Sequence, residues 1–151
     1  MKLTARQDIQ ADIGEVWSVL TDFDSLEAIA RGRGLGIKRD AGQALPVWTV
    51  GFNFRDKPRE AEAQLLTLEE PTRITGLALG KSLEAEVIVD LQPLGPNRTR
   101  MTIETEVKAR SLSARLFLQS LKLARGRIEG RYTKVASQLA AYVEKRAKPL
   151  A

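Results

Sequence analysis

Residues 2–20 read KLTARQDIQADIGEVWSVL, and their reading decides the fold. Leu3, Ala5, Gln7 and Ile9 alternate with Lys2, Thr4, Arg6 and Asp8, the period of two that marks a half-buried strand. Asp12 then stands where an N-cap belongs. Glu15, three residues later, completes a capping-box arrangement, and Ala11 and Val16 are placed for a hydrophobic staple. A helix is therefore predicted to start at Ile13, with Ile13, Val16, Trp17 and Leu20 at helical spacing. Thr21-Asp22-Phe23-Asp24-Ser25 interrupts it, and a second short helix is predicted over Leu26–Ala30.

Further along, Arg31-Gly32-Arg33-Gly34-Leu35-Gly36 is a glycine-rich link, and a second strand begins over Ile37–Asp40. In Val47–Phe54, Trp48, Val50, Phe52 and Phe54 alternate with Val47, Thr49, Gly51 and Asn53. Asp56-Lys57-Pro58 turns the chain and Arg59–Leu68 runs back as the partner strand. After Glu69-Glu70-Pro71-Thr72, Arg73–Leu79 reads as a strand, and Gly80-Lys81-Ser82 turns it into one whose Leu83, Ala85, Val87, Val89 and Leu91 share a face. Leu94-Gly95-Pro96-Asn97 leads into Arg98–Ala109, with Met101, Ile103, Thr105 and Val107 on one side. Short connections favour pairing of sequence neighbours, which predicts a seven-stranded antiparallel meander.

The last stretch changes period. Phe117, Leu121, Ala124, Ile128, Tyr132, Val135, Leu139 and Tyr142 recur in steps of three and four, one apolar stripe on a helix predicted from Leu112 to Ala147. As one rod it would measure about 54 Å, longer than a domain of this size needs, so a bend, a break near its start or an overhang is expected. Gly126 and Gly130 fall roughly opposite the stripe, where each costs about 1 kcal/mol relative to alanine. They suit a kink or a close contact, or are tolerated. The predicted class is α+β: a curved seven-stranded antiparallel sheet gripping a long C-terminal helix, with two short helices after strand 1, in one domain spanning 1–151.

Composition narrows the chemistry. The 151 residues contain neither cysteine nor histidine, which removes disulfides, thiol nucleophiles, zinc sites built on those residues, and Ser-His-Asp or Cys-His catalysis. Acid–base work falls to Asp, Glu, Lys, Tyr or water, with a pKa displaced by burial. No cofactor and no metal site are expected: Asp22 and Asp24 lack further oxygen ligands and suit turn and capping roles. Gly76-Leu77-Ala78-Leu79-Gly80-Lys81-Ser82 has three residues between its glycines where a phosphate loop needs four, and strand text follows it. Gly32, Gly34 and Gly36 open no helix, so they read as a flexible cavity-mouth loop or an ordinary connection. No apolar run approaches a membrane span, and Met1–Asp8 lacks the apolar core of a secretory signal, so a cytoplasmic location is expected.

Charge is uneven along the chain. Residues 1–109 carry 14 Lys/Arg against 17 Asp/Glu, and residues 110–151 carry 10 against 2. Arg115, Lys122, Arg125, Arg127 and Lys134 are spread around the terminal helix, on both flanks of the apolar stripe and opposite it. This basic helix suits a solvated outer face, or contact with an acidic protein, an anionic membrane surface or, less expected, nucleic acid; the absence of one narrow stripe of cations weighs against all three contacts and favours the solvated face.

Ile9, Ala11, Val16-Trp17, Leu20 and Thr21-Asp22 resemble the amino-terminal pattern of the START-like superfamily, also called SRPBCC or birch-pollen-allergen-like, in its bacterial polyketide cyclase/dehydrase branch. The order of strand, two helices, six strands and long helix extends the resemblance over essentially the whole chain. Leu91-Gln92-Pro93 with Thr99-Arg100 resembles the family's penultimate hairpin. The resemblance implies a helix-grip fold and an internal cavity for apolar or amphipathic molecules such as lipids, polyketides, quinones or sterols. It supplies no universal catalytic motif.

The candidate ligand-binding residues are Trp48, Phe52 and Phe54 on one strand face, Met101 on the last strand, and Ile128, Arg131 and Tyr132 on the terminal helix. The three aromatic residues of the strand are either core packing or the wall of an apolar site. Arg131 lies about 60° from the centre of the stripe at 100° per residue, so its guanidinium either reaches the cavity to hold an anionic group or snorkels to the rim. Gln7, Asn53 and Gln64 are further candidate inward polar groups. The expected function is non-catalytic carriage or sensing of a small hydrophobic or amphipathic molecule. A polyketide cyclase or aromatase and an interaction module using the basic helix are the alternatives.

Overall fold

The computed structural model describes residues 1–147. Its elements run β1 (Lys2–Ile9), α1 (Ile13–Leu20), α2 (Phe23–Gly32), β2 (Gly36–Arg39), β3 (Val47–Phe54), β4 (Lys57–Glu69), β5 (Arg73–Leu79), β6 (Leu83–Gly95) and β7 (Arg98–Ala109). The terminal helical run is α3 (Leu112–Leu121), a short 3-10 turn (Lys122–Ala124) and α4 (Arg125–Arg146). The chain is α+β with a helix-grip architecture: one curved seven-stranded sheet, every pair antiparallel, with the long helical run against it.

Sheet order is β1-β7-β6-β5-β4-β3-β2. Strands β2 to β7 pair in sequence order as expected, but β1 joins β7, from Lys2↔Glu106 to Ile9↔Thr99. The two helices that follow β1 carry the chain from one edge of the sheet to the other, so β1 and β2 become opposite edges.

The helix boundaries follow from local hydrogen bonds. Asp12 caps α1 by accepting from the Gly14 amide at 3.1 Å. The polar run after α1 interrupts less than predicted, because Thr21 closes one helix and Asp22 opens the next. Thr21 Oγ1 donates to the Trp17 carbonyl at 2.8 Å, and Asp22 accepts from Ser25 Oγ at 2.7 Å. Helix α2 thus starts at Phe23, three residues before the predicted Leu26. It ends in a Schellman cap: Gly34, at φ 90°, donates to the Arg31 carbonyl, and Leu35 donates to that of Ala30. Gly34 of the glycine-rich link is therefore a helix stop.

Two turns are tighter than the sequence suggested. Arg55 and Asp56 both have positive φ, so β3 and β4 are joined by a two-residue hairpin and Pro58 lies inside β4, opposite Asn53. Proline is accepted there because β5 joins β4 only from Glu62 onward, leaving that side of Pro58 without a ladder partner. Between Leu65 and Thr67 the register of β4 shifts, so Leu65 and Leu68 both serve the concave face while Leu66 is 43% exposed.

The core is packed at one end. Ile9, Val16, Met101 and Val143 have no exposed surface, and Trp17, Leu20, Leu91 and Ala140 join their cluster. Full burial of such side chains stabilises by about 1.5–3 kcal/mol each. Thr99, also fully buried, donates to the Ala11 carbonyl at 2.8 Å and so ties β7 to the entry of α1. Helix α4 rests chiefly on β1 and touches α1. Its buried positions are Ala136, Ala140 and Val143, whereas Val135, predicted in the stripe, is 54% exposed. The small alanines let the helix approach closely, which moves the buried face around the helix from the bulkier residues. The expected break falls at the 3-10 turn, before Gly126; a side chain at Gly126 or Gly130 would meet open space.

Candidate functional site

The other half of the concave face is not filled. Trp48, Val50, Ala63, Leu65, Ile74 and Val89, inward residues of β3 to β6, are only half-buried, and a row of small side chains, Ala63↔Ala78↔Ala85, crosses three adjacent strands. Helix α2 arches over this region. The result is a cavity of about 340 Å³. Its helical side is Leu20, Phe23, Leu26, Glu27 and Ala30; its sheet side runs from Ile37 through Trp48, Val50 and Leu65 to Val89. The volume lies within the range typical of small-molecule sites.

Among the described residues lining the cavity, Glu27 alone is charged. Its side chain is only 11% exposed. The Trp48 indole Nε1 donates to Glu27 Oε2 at 2.7 Å, and Phe23 meets the same indole edge-on at a centroid distance of 5.6 Å. From β2, Arg39 donates through Nε to the same carboxylate oxygen and through its terminal nitrogen to Asp24 at 2.7 Å. Arg31, one turn along α2, stands 3.6 Å from Glu27 Oε1 and donates to the Ile37 carbonyl at 3.0 Å. These donors, the Trp48 hydrogen bond foremost, hold the Glu27 pKa below the ordinary carboxylate value against the opposing effect of burial. The wall therefore presents an ionised carboxylate to an apolar space. Two donors share Oε2, which leaves Oε1 the freer oxygen.

The sequence candidates are dispersed by the fold. Trp48 lines the cavity; Phe52 is half-buried on the same strand face. Phe54 is 45% exposed and meets Phe117 of α3 edge-on at 6.4 Å. Met101 lies in the packed core without exposure. Ile128 is half-buried on α4, and the Tyr132 hydroxyl is 2.8 Å from Thr105 Oγ1. Arg131 is exposed and is not among the lining residues. Of the polar candidates, Gln7 shares the face of Leu3, Ala5 and Ile9. Asn53 and Gln64 alternate with the cavity-facing residues of their strands, so they lie on the outer face; Gln64 donates to Glu62 there at 3.1 Å.

Glu27 is the residue that sequence reasoning missed. One signal was available: Phe23, Leu26 and Ala30 form the apolar face of α2, and Glu27 sits among them at the fourth position from Phe23. A carboxylate inside an apolar helical stripe needs partners, and these come from β2 and β3.

Residues 1–144 match the family model described as polyketide cyclase/dehydrase and lipid transport, and the chain belongs to that family. Solved structures with the same fold include a protein from Thermus thermophilus, 16% identical, with a TM-score of 0.70 over 95% of this chain and 97% of that one. An aromatase/cyclase from a Streptomyces species is 15% identical, with a TM-score of 0.66 over 97% and 94% of the two chains. Norcoclaurine synthase from Thalictrum flavum, solved with dopamine and hydroxybenzaldehyde, is 12% identical, with a TM-score of 0.67 over 98% and 88%. At these identities the likeness is one of fold. No curated protein matches the chain.

Proposed function

We infer that the protein carries or senses a small, largely apolar molecule held between α2 and the sheet, with a hydroxyl or amine of that molecule donating to Glu27. The observation behind this reading is the 340 Å³ apolar cavity whose wall contains one ionised carboxylate. Apolar burial supplies affinity at roughly 25 cal/mol per Å², and the charge-assisted hydrogen bond fixes orientation. Trp48, alone among the sequence candidates, contributes to this wall, as both a flat apolar surface and the donor that holds Glu27 in place.

A cyclase or aromatase reading needs a base or acid matched to neutral pH. Glu27 is shifted the opposite way, since three donors favour its ionised form and weaken it as a base. Carriage or sensing is thus the better fit to the cavity's chemistry. The test is titration of tryptophan fluorescence, with Trp48→Phe as the variant that leaves only the core Trp17, together with native mass spectrometry, against long-chain alcohols, long-chain amines, fatty acids, quinones and aromatic polyketides. Alcohols and amines should bind more tightly than the fatty acids of equal length, and Glu27→Gln should erase that preference. A protein that retains and takes up none of these compounds, or turns one over catalytically, would overturn the reading.

A further inference from the structure

The corner made by α3 and the 3-10 turn has a second apolar face that the fold does not use. Ala114, Phe117, Leu118 and Leu121 already supply the inner side of α3, being buried or half-buried. Outside, Leu112 is 71%, Leu116 58% and Leu123 94% exposed. Leu112 and Leu116 are one turn apart and project within about 40° of each other. Three large apolar side chains left in solvent at one corner make it a candidate contact surface.

Cations surround them. Residues 110–128 contain five Lys/Arg (Arg110, Arg115, Lys122, Arg125 and Arg127) and no Asp or Glu. Among the described residues, Arg125 is the member of this set held in an ion pair, to Glu129 at 2.6 Å. The β3–β4 hairpin carries Arg55, Lys57 and Arg59, with Asp56 and Glu60 between and after them. The Arg55 guanidinium lies 5.4 Å from the ring centroids of both Phe54 and Phe117, and that of Arg59 lies 5.9 Å from Phe54. The aromatic contact between Phe54 and Phe117 fixes the hairpin tip beside the inner side of α3, so its cations flank the leucine face and do not lie on it.

We propose that this corner docks on an anionic lipid bilayer, with Leu112, Leu116 and Leu123 entering the headgroup boundary and the surrounding Lys and Arg side chains meeting lipid phosphates. A bilayer satisfies both halves of the surface at once, apolar depth for the leucines and diffuse negative charge for the cations. Nucleic acid would leave the leucines in water. An acidic protein would need its own apolar groove matched to the three exposed leucines. The proposal is independent of the cavity and its ligand.

The experiment is co-sedimentation of the intact protein with phosphatidylcholine vesicles, with and without phosphatidylglycerol, at low and physiological salt. Binding should require phosphatidylglycerol and weaken with salt. Arg115→Gln/Lys122→Gln should lose about fivefold per cation removed. Leu116→Ser/Leu123→Ser should lose about tenfold per leucine while keeping the wild-type circular dichroism spectrum, because both side chains are exposed. Lys38→Gln, on edge strand β2, controls for net charge and should bind as wild type does. The proposal is overturned by absence of binding to phosphatidylglycerol vesicles at low salt. It is equally overturned if the leucine variant binds undiminished, if Lys38→Gln weakens binding as much as the α3 pair, or if polyglutamate competes fully for the same surface.

Discussion

Trp48 of β3 and Glu27 of α2, 21 residues apart, are joined by a 2.7 Å hydrogen bond from the indole nitrogen to a carboxylate oxygen. The bond spans the two walls of the cavity. It fixes the angle at which α2 lies over the sheet, and it keeps a charge at the edge of an apolar space where an unpaired one would be expensive. Arg39 reinforces it from the neighbouring strand, so helix, β2 and β3 meet at one carboxylate.

Glu27 makes stability depend on pH in a definite direction. Its folded pKa lies below the ordinary value, so near pH 4 the unfolded chain binds more protons than the folded one. The stabilisation is present above the unfolded pKa and is lost as pH falls through the lowered folded value. Asp8, held down by Arg100 and Arg98, and Asp22, held down by Ser25, are shifted in the same direction. The difference between wild type and Glu27→Gln isolates the contribution of Glu27. Urea melts across the acid range should show the wild-type advantage shrinking toward low pH; a constant difference would mean that the carboxylate's charge plays no part.

Filling the cavity should separate fold from function. Ala63 lines the space on the sheet side, in register with Trp48 and Ala78. Ala63→Leu adds apolar volume where there is room, so stability should change by less than about 1.5 kcal/mol. Ligand affinity should fall at least tenfold in the same protein. A Tm close to wild type with undiminished binding would show that the ligand sits elsewhere.

Glycines of this chain should divide by conformation. Gly130 lies within α4 with open space around a would-be Cβ, and Gly130→Ala should stabilise by about 0.4–1 kcal/mol. Gly34 holds φ at 90° in the cap of α2, so Gly34→Ala should destabilise by roughly 1 kcal/mol or more despite equally open space. Chemical denaturation of both variants checks the contrast.

The strands were legible where alternation was regular and turn residues bounded it: β3, β5 and β7 occupy the predicted residues. The errors lie where non-local contacts decide. Pro58 reads as a turn residue until the outer side of β4 is known to be unpaired there, and Val135 looks interior until α4 packs with Ala136 and Ala140 buried in its place. The 3-10 turn also advances about 120° per residue instead of 100°, so a stripe traced through it as one α-helix drifts out of phase. Trp48 was recognisable as a candidate from its strand face. Glu27 was not, because its significance depends on Arg39 and Trp48, which reach it only after the sheet has formed.

The two tyrosines of α4 carry opposite expectations for the same substitution. Tyr132 hydrogen-bonds Thr105 across the helix–sheet contact, so Tyr132→Phe should cost about 1 kcal/mol. Burial raises its pKa, the Thr105 hydrogen bond opposing in part, so its contribution holds below the unfolded value near 10 and is lost as pH rises through the folded one. Wild type should therefore lose stability in alkali more steeply than Tyr132→Phe. The buried Tyr142 hydroxyl has no partner among the described residues, a state that costs about 1–3 kcal/mol of desolvation. Tyr142→Phe removes the hydroxyl and keeps the ring that packs against the core and under the Arg146 guanidinium. It should raise stability by about 1 kcal/mol, read from the urea midpoint at constant m. A loss of stability in Tyr142→Phe would show that the hydroxyl is bonded in solution, and would direct attention to what it meets there.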